Sequence, residues 1–194
     1  MEQGSALLIV DVQNDFCPGG ALAVPDGDRV AGPLGRAAER FRAAGLPVFA
    51  SRDWHPAVTT HFREYGGSWP PHCVQGSRGA EFHPALGLPP DTVIISKGAA
   101  PDSDSYSAFE GVRTDGATLG SCLAALGVGH LYVGGLATDY CVRSSVLDAL
   151  QAGLGVTVLT DGVAGVDLKP GDSDRALEEM VRAGARLATV DAIE

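Results

Sequence analysis

Cations are in short supply in this sequence. Of 194 residues, 14 are Lys or Arg and 24 are Asp or Glu, for a formal net charge of −10. Binding nucleic acid needs clustered Lys and Arg to displace counterions from phosphates. The deficit argues against such a partner and serves solubility instead. Long apolar runs are also missing. The stretch Ala6 to Val10 is too short to cross a bilayer, and Asp11 ends it. Neither a secretory leader nor a membrane segment is expected. Cysteine is sparse: Cys17, Cys73, Cys122 and Cys141 match no zinc-knuckle spacing, and a chain of this length needs no disulfide staples. They are expected to be reduced thiols of a cytoplasmic protein. The 26 glycines and 12 prolines are scattered, which implies tight turns rather than disorder.

The length suits one domain with a real core. Ala6 to Val10 is continuously apolar, as in a strand buried on both faces of a parallel sheet. A helix is predicted from near Asp28 to Ala44, with Pro33 in its early turns and Gly45 as its stop. Strands follow at Val48 to Ser51 and Thr92 to Ser96, then a helix from Thr118 to Leu126. Leu131 to Val133 is a fourth strand. Thr138 or Asp139 then caps a helix that carries Val142, Val146, Leu147 and Leu150 at helical spacing. Val156 to Leu159 is a strand closed by a turn at Asp161-Gly162. Ser173 caps a last helix through Met180, stopped by Gly184, and Arg186 to Val190 is an edge strand. This alternation predicts one α/β domain over residues 1–194. Its fold class is a three-layer, Rossmann-like arrangement, a mainly parallel six-stranded sheet flanked by helices. Pro56 to Pro90 has no periodicity and reads as a functional insertion on that domain.

Asp11, Lys97 and Cys141 each come directly after an apolar strand. In a parallel sheet those strand ends share one side, so the three groups can converge. Cys supplies a nucleophile. Asp can take the thiol proton and pass it to a leaving amine. Lys can hold the carboxylate and stabilise negative charge. Cys141, in the first turn of its helix, faces unpaired N–H groups that favour thiolate. A small buried core cysteine is the other reading of that stretch. Backbone N–H groups around Ala137 and Cys141 can form an oxyanion hole.

Asp53 and His55 are two residues apart, so in an extended segment they project to one side. His61, Glu64 and His72 follow in the insertion. The chain has only five histidines, and three of them lie between His55 and His72. That density points to a divalent metal, because imidazole with carboxylate suits zinc, iron or manganese. Residues 56–90 are then a metal-binding loop, while His83 and His130 are read as surface or packing residues. A metal here can anchor a ring nitrogen of the substrate. Phe16, Trp69 and Tyr106 can sandwich a flat ring. Leu22 lines the same pocket or pins its own loop.

The segments DVQNDFCPGGALAVP, SRDWHPAVTTHF, WPPHCVQGSRGAEFHP, ISKG, YSAFEG and GGLATDYCVRSSVLDAL resemble the nicotinamidases (pyrazinamidases) of the isochorismatase-like cysteine hydrolases. The resemblance spans Leu7 to about Leu159. It implies hydrolysis of nicotinamide to nicotinate and ammonia in NAD salvage, with pyrazinamide as a further substrate. It implies Asp11, Lys97 and Cys141 as catalytic triad, and Phe16, Leu22, Trp69 and Tyr106 as ring pocket. Asp53, His55 and His72 bind one divalent ion, zinc first, with iron or manganese as alternatives. The fourth ligand is His61 or Glu64, and the DWH…HF spacing favours His61. A cis peptide is implied at Leu136-Ala137. Two features depart from the pattern: a longer, more acidic stretch KGAAPDSDSY, and Tyr140 before the nucleophile. Related N-carbamoyl or ureido amidases keep the triad without the metal cluster, isochorismatases lack the cysteine, and a non-enzymatic ligand-binding member would not keep the triad whole. Whether the chain is a monomer or a homo-oligomer is left open.

Overall fold

A computed structural model describes residues 3–193 of the chain. The first strand, β1 (Ser5–Val10), is buried at every position. Leu7 and Ile9 point into one apolar layer, and Ala6, Leu8 and Val10 into the other. A strand covered on both faces has no use for alternating polar residues, so its sequence is apolar throughout. The chain continues as α1 (Ala31–Ala43), β2 (Val48–Asp53), β3 (Val93–Lys97), α2 (Leu119–Ala125), β4 (His130–Leu136), α3 (Arg143–Gln151), β5 (Gly155–Ala164), α4 (Asp172–Arg182) and β6 (Arg186–Ala188). The strands form one six-stranded sheet in the order β3-β2-β1-β4-β5-β6, and every pairing is parallel. α1 lays Leu34, Ala37, Ala38 and Phe41 on one face, together with Val190 and Ile193 from the C-terminal segment. α2, α3 and α4 cover the other with Leu119, Leu123, Val146, Ala149 and Met180. The predicted three layers are therefore present. Among the described residues no helix is long and apolar enough to cross a membrane.

The strand order reverses between β1 and β4, and a parallel sheet opens a crevice at the carboxyl ends of the strands at such a point. β3 and β6 are the two edges. Beyond β3, Ser96 and Val112 exchange backbone hydrogen bonds of 2.8 and 2.9 Å, an antiparallel bridge that closes that side at one place.

Four local expectations need correction. Asp161-Gly162 is not a turn, because β5 runs through it to Ala164. The pairing with β4 slips register between Val133 and Gly135, and the Asp161 carboxylate accepts the Val190 N–H at 2.8 Å. Neither Thr138 nor Asp139 caps α3. Thr138–Val142 winds as a π-helical turn ahead of it, with Ala137 at the capping position and no side-chain cap. The Asp139 carboxylate instead accepts the N–H groups of Val166 and Asp167, both at 2.9 Å. Ser173 lies inside α4, which starts after Gly171, and its hydroxyl donates to Asp167 at 2.7 Å. Finally, α1 starts at Ala31 after a 3-10 turn over Gly27–Val30. That leaves Pro33 in the first helical turn, where its missing N–H costs nothing.

Residues 56–90 are irregular, as expected, but well anchored. Phe62, Cys73 and Leu86 are buried. Isolated bridges tie His55 to Val74, Phe62 to Trp69 and Gln13 to Phe82.

Candidate active site

Asp11 leaves β1 with φ at 50°, a left-handed conformation that side-chain-bearing residues adopt at a cost. Its side chain is wholly buried. Oδ1 accepts the Ser51 hydroxyl at 2.7 Å. Lys97, the last residue of β3, is equally buried and reaches across β2 to the same place. Its Nζ lies 2.9 Å from Asp11 Oδ2, close enough for an ion pair but poorly aligned for a hydrogen bond. The same Nζ lies 3.5 Å from Cys141 Sγ and donates to Asp53 Oδ1. Three groups from three separate strand ends thus meet at the switch point. Asp53 is a fourth member, since it pairs with Lys97 as well as facing the histidines.

The electrostatics follow from this crowding. Burial pushes the Asp11 carboxyl up, against the pull of Lys97. Burial also works against charge on Lys97, but Asp11 and Asp53 outweigh it and hold the ammonium well above the ordinary lysine range. For Asp53 burial is outweighed chiefly by the Lys97 ammonium, which holds the carboxyl well below its usual range and keeps it ionised. Burial is the largest influence on Cys141, and with Asp11 and Asp53 it overrides Lys97 and raises the thiol well above its usual value. Burial thus opposes the thiolate form that the helix terminus favours. Two carboxylates and one ammonium already leave the space negative, so a further negative charge is disfavoured there. The turn that carries the thiol is tied down: Ser145 Oγ donates to the Cys141 carbonyl at 2.7 Å and accepts the Ala108 N–H at 2.9 Å.

Beside the triad, one nitrogen each from His55, His61 and His72 lies within 4.8 Å of the others. Each Nδ1 faces an oxygen: the Gly98 carbonyl at 3.1 Å for His55, the Pro70 carbonyl at 2.8 Å for His72, and the Asp104 carboxylate for His61. Donation from Nδ1 leaves the lone pair on Nε2. His55 Nε2 is buried with no hydrogen-bond partner, an expensive state for a polar atom. Asp53 Oδ2 lies 3.6 Å from His55 Nε2 and 3.7 Å from His72 Nε2, too far to satisfy either but suited to sharing one ion. This nitrogen and oxygen donor set fits a divalent transition metal. Glu64 is exposed on a 3-10 turn and stands outside the cluster, whereas His61 is buried in it. Gly98 lets the rings approach: a Cβ there would come within 2.4 Å of the His55 ring, and its φ is +64°.

Between triad and imidazoles lies a small cavity of about 40 Å³, partly open to solvent. Phe16, Leu22, Trp69 and Tyr106 all line it, as expected of a ring pocket, and so do Tyr140 and Cys141. Trp69 Nε1 donates to the Tyr106 hydroxyl at 3.0 Å. Tyr140 meets Trp69 edge-to-face at 5.3 Å and lies nearly parallel to Tyr106 at 6.2 Å. The Leu136-Ala137 peptide is cis. Sequence reasoning missed Ser51, Asp104 and Gln13, whose amide brackets Asp53 by bonds of 2.8 Å to its N–H and its carbonyl. It noted Tyr140 but gave it no place in the pocket. Adjacency to Cys141 was the available signal for Tyr140 and the acidic stretch KGAAPDSDSY for Asp104, whereas nothing in the sequence pointed to Ser51 or Gln13.

The isochorismatase-domain profile matches residues 5–192. The chain belongs to the isochorismatase family. This isochorismatase-family chain is 45% identical over 201 residues to a nicotinamidase of Escherichia coli strain K12, with 95% of the chain and 94% of that relative covered. It is 43% identical over 188 residues to the nicotinamidase/pyrazinamidase of Mycobacterium tuberculosis, covering 94% and 97%. Among solved structures, the pyrazinamidase of Pyrococcus horikoshii in complex with zinc superposes with a TM-score of 0.89 at 46% identity, over 96% of this chain and 99% of that one.

Proposed function

We propose that this isochorismatase-family chain hydrolyses nicotinamide to nicotinate and ammonia through a thioester on Cys141, and accepts pyrazinamide in the same pocket. The observation that carries the reading is Lys97 Nζ, 3.5 Å from the Cys141 sulfur and 2.9 Å from Asp11, at the foot of an aromatic cavity walled by imidazoles. Close likeness to named nicotinamidases and to a zinc-bound pyrazinamidase supports it. Asp53, His55, His61 and His72 would hold one divalent ion, zinc first, with iron or manganese as alternatives. Bound there, the ion supplies a Lewis-acid anchor for the pyridine nitrogen. The role in NAD salvage and the cytoplasmic location belong to the same proposal.

The ring lies between Phe16 and the Trp69–Tyr106 pair, with its carboxamide over Cys141. Asp11 takes the thiol proton as sulfur attacks the amide carbon. Removing that proton leaves Asp11 neutral, so the total charge beside Lys97 does not change. The backbone N–H groups of Ala137 and Cys141 receive the oxyanion. Asp11 returns its proton to the leaving ammonia, and water then cleaves the thioester. An N-carbamoyl amidase would use the same triad, but it gives the imidazole cluster no task.

Ammonia release from nicotinamide, pyrazinamide and N-carbamoyl substrates tests the reading. Cys141→Ala should abolish release while nicotinamide still binds in a calorimetric titration. Turnover by that variant, or a preference for carbamoyl amides over both ring amides, would overturn it.

A further inference from the structure

We infer that Asp104 is a positioning residue for the cation site, acting through His61; the inference rests on the divalent-cation reading above. Two of the three imidazoles are oriented by backbone carbonyls, of Gly98 and Pro70, whose places follow from the chain path. His61 alone is oriented by a side-chain carboxylate, from a residue 43 positions away. A carbonyl at Nδ1 sets the tautomer and the ring plane. A carboxylate does both and also makes Nε2 a stronger donor to a metal.

Asp104 is not delivered to that contact by chance wandering of an exposed loop. The N–H and hydroxyl of Thr60 both reach the Pro101 carbonyl, at 2.8 and 3.3 Å, so the loop is fastened to the residue next to His61. On its far side the Glu110 carboxylate accepts from Ser105 Oγ at 3.1 Å and from the N–H groups of Tyr106 and Ser107 at 2.8 and 3.0 Å. Asp104 sits between these two anchors. The neighbouring Ser105 and Tyr106 line the ring cavity. One short segment therefore orients a metal ligand and shapes the pocket.

The acidic stretch that departs from the family pattern in sequence thus acquires a task. The Asp104 side chain is 60% exposed while that of His61 is 4% exposed, so water screens the carboxylate on one side only. Screening places the effect at the low end of what an outer partner of a ligating histidine contributes, about tenfold in metal affinity.

The test is the zinc dissociation constant of the full chain, measured against a chelating indicator after removal of metal, together with the visible absorption of the cobalt(II)-loaded protein. Asp104→Ala should bind zinc about tenfold more weakly than wild type and shift the cobalt bands. Asp104→Asn keeps an oxygen acceptor without the charge, has the same shape, and should fall between the two. Asp102→Ala removes an equal charge from the same loop at an exposed position and should match wild type. The inference is overturned if Asp104→Ala equals wild type in both affinity and spectrum, or if Asp102→Ala weakens zinc as much. Wild-type protein that binds no zinc or cobalt would overturn the cation reading itself, and this inference with it.

Discussion

The hydroxyl of Ser51 donates to Asp11 inside a space closed to water, and that bond favours the carboxylate over the carboxyl. Ser51→Ala removes it, so the pKa of Asp11 rises further. The base form is then populated only at higher pH. The acidic limb of the kcat/KM profile should move to higher pH, and kcat/KM on that limb should fall by about tenfold or more, as for a hydrogen bond to a charged group worth ~1.5–3 kcal/mol. An acidic limb that stays in place would take Asp11 out of the base role. The convergence of Asp11, Lys97 and Cys141 was legible in the sequence because Asp11 and Lys97 close apolar runs, Cys141 lies in the turn that follows β4, and a parallel sheet sends such ends to one side. The contacts of Ser51 and Asp104 were not, because they depend on reach between neighbouring segments. The pairing of Asp53 with Lys97 likewise follows from the β2–β3 register, in which the two are directly opposite. The crowding that disfavours charge on Cys141 was hidden for a similar reason. A helix-terminus argument weighs one dipole, while the cavity holds Asp11, Asp53 and Lys97 together.

At the scale of the element, the turn after β3 is the sensitive one. Gly98 combines a left-handed φ of +64° with the His55 ring at 2.4 Å from any added Cβ. Gly98→Ala should cost ~1–2 kcal/mol in backbone strain alone. For a chain of this size that lowers Tm by roughly 2–8 °C. The displaced ring should also reduce zinc per chain in elemental analysis. Full zinc content with an unchanged Tm would mean that the turn relaxes freely. Strands were readable from continuous apolar runs, and helices from their spacing. Helix starts were less so. Asp139 and Ser173 are good capping residues, yet both are used to hold the segment after β5, at Val166 and Asp167. Asp161-Gly162 has the chemistry of a turn, but the strand passes through it with a shift in register. Local preference lost to partners distant in sequence for Asp139 and Asp161, and to the preceding loop for Ser173.

For the whole molecule, alternation of strands and helices was enough to foresee a three-layer parallel fold. Strand order was not readable, since it depends on which strands pair, and that order decides where the crevice opens. It also has a consequence for durability. Lys97 belongs to β3, one of the two edge strands, whose far side is fastened at Ser96 and Val112. Borders of a sheet fray before its middle. The Lys97 ammonium can come adrift while β1 and β4 remain intact. In a urea series, turnover should vanish below the midpoint of the circular dichroism transition, and amide exchange at Ser96 should outpace that at Leu8. Coincident loss of both signals would mean that the rim is as firm as the centre. If they separate, this enzyme is switched off by a loosened selvage long before it melts.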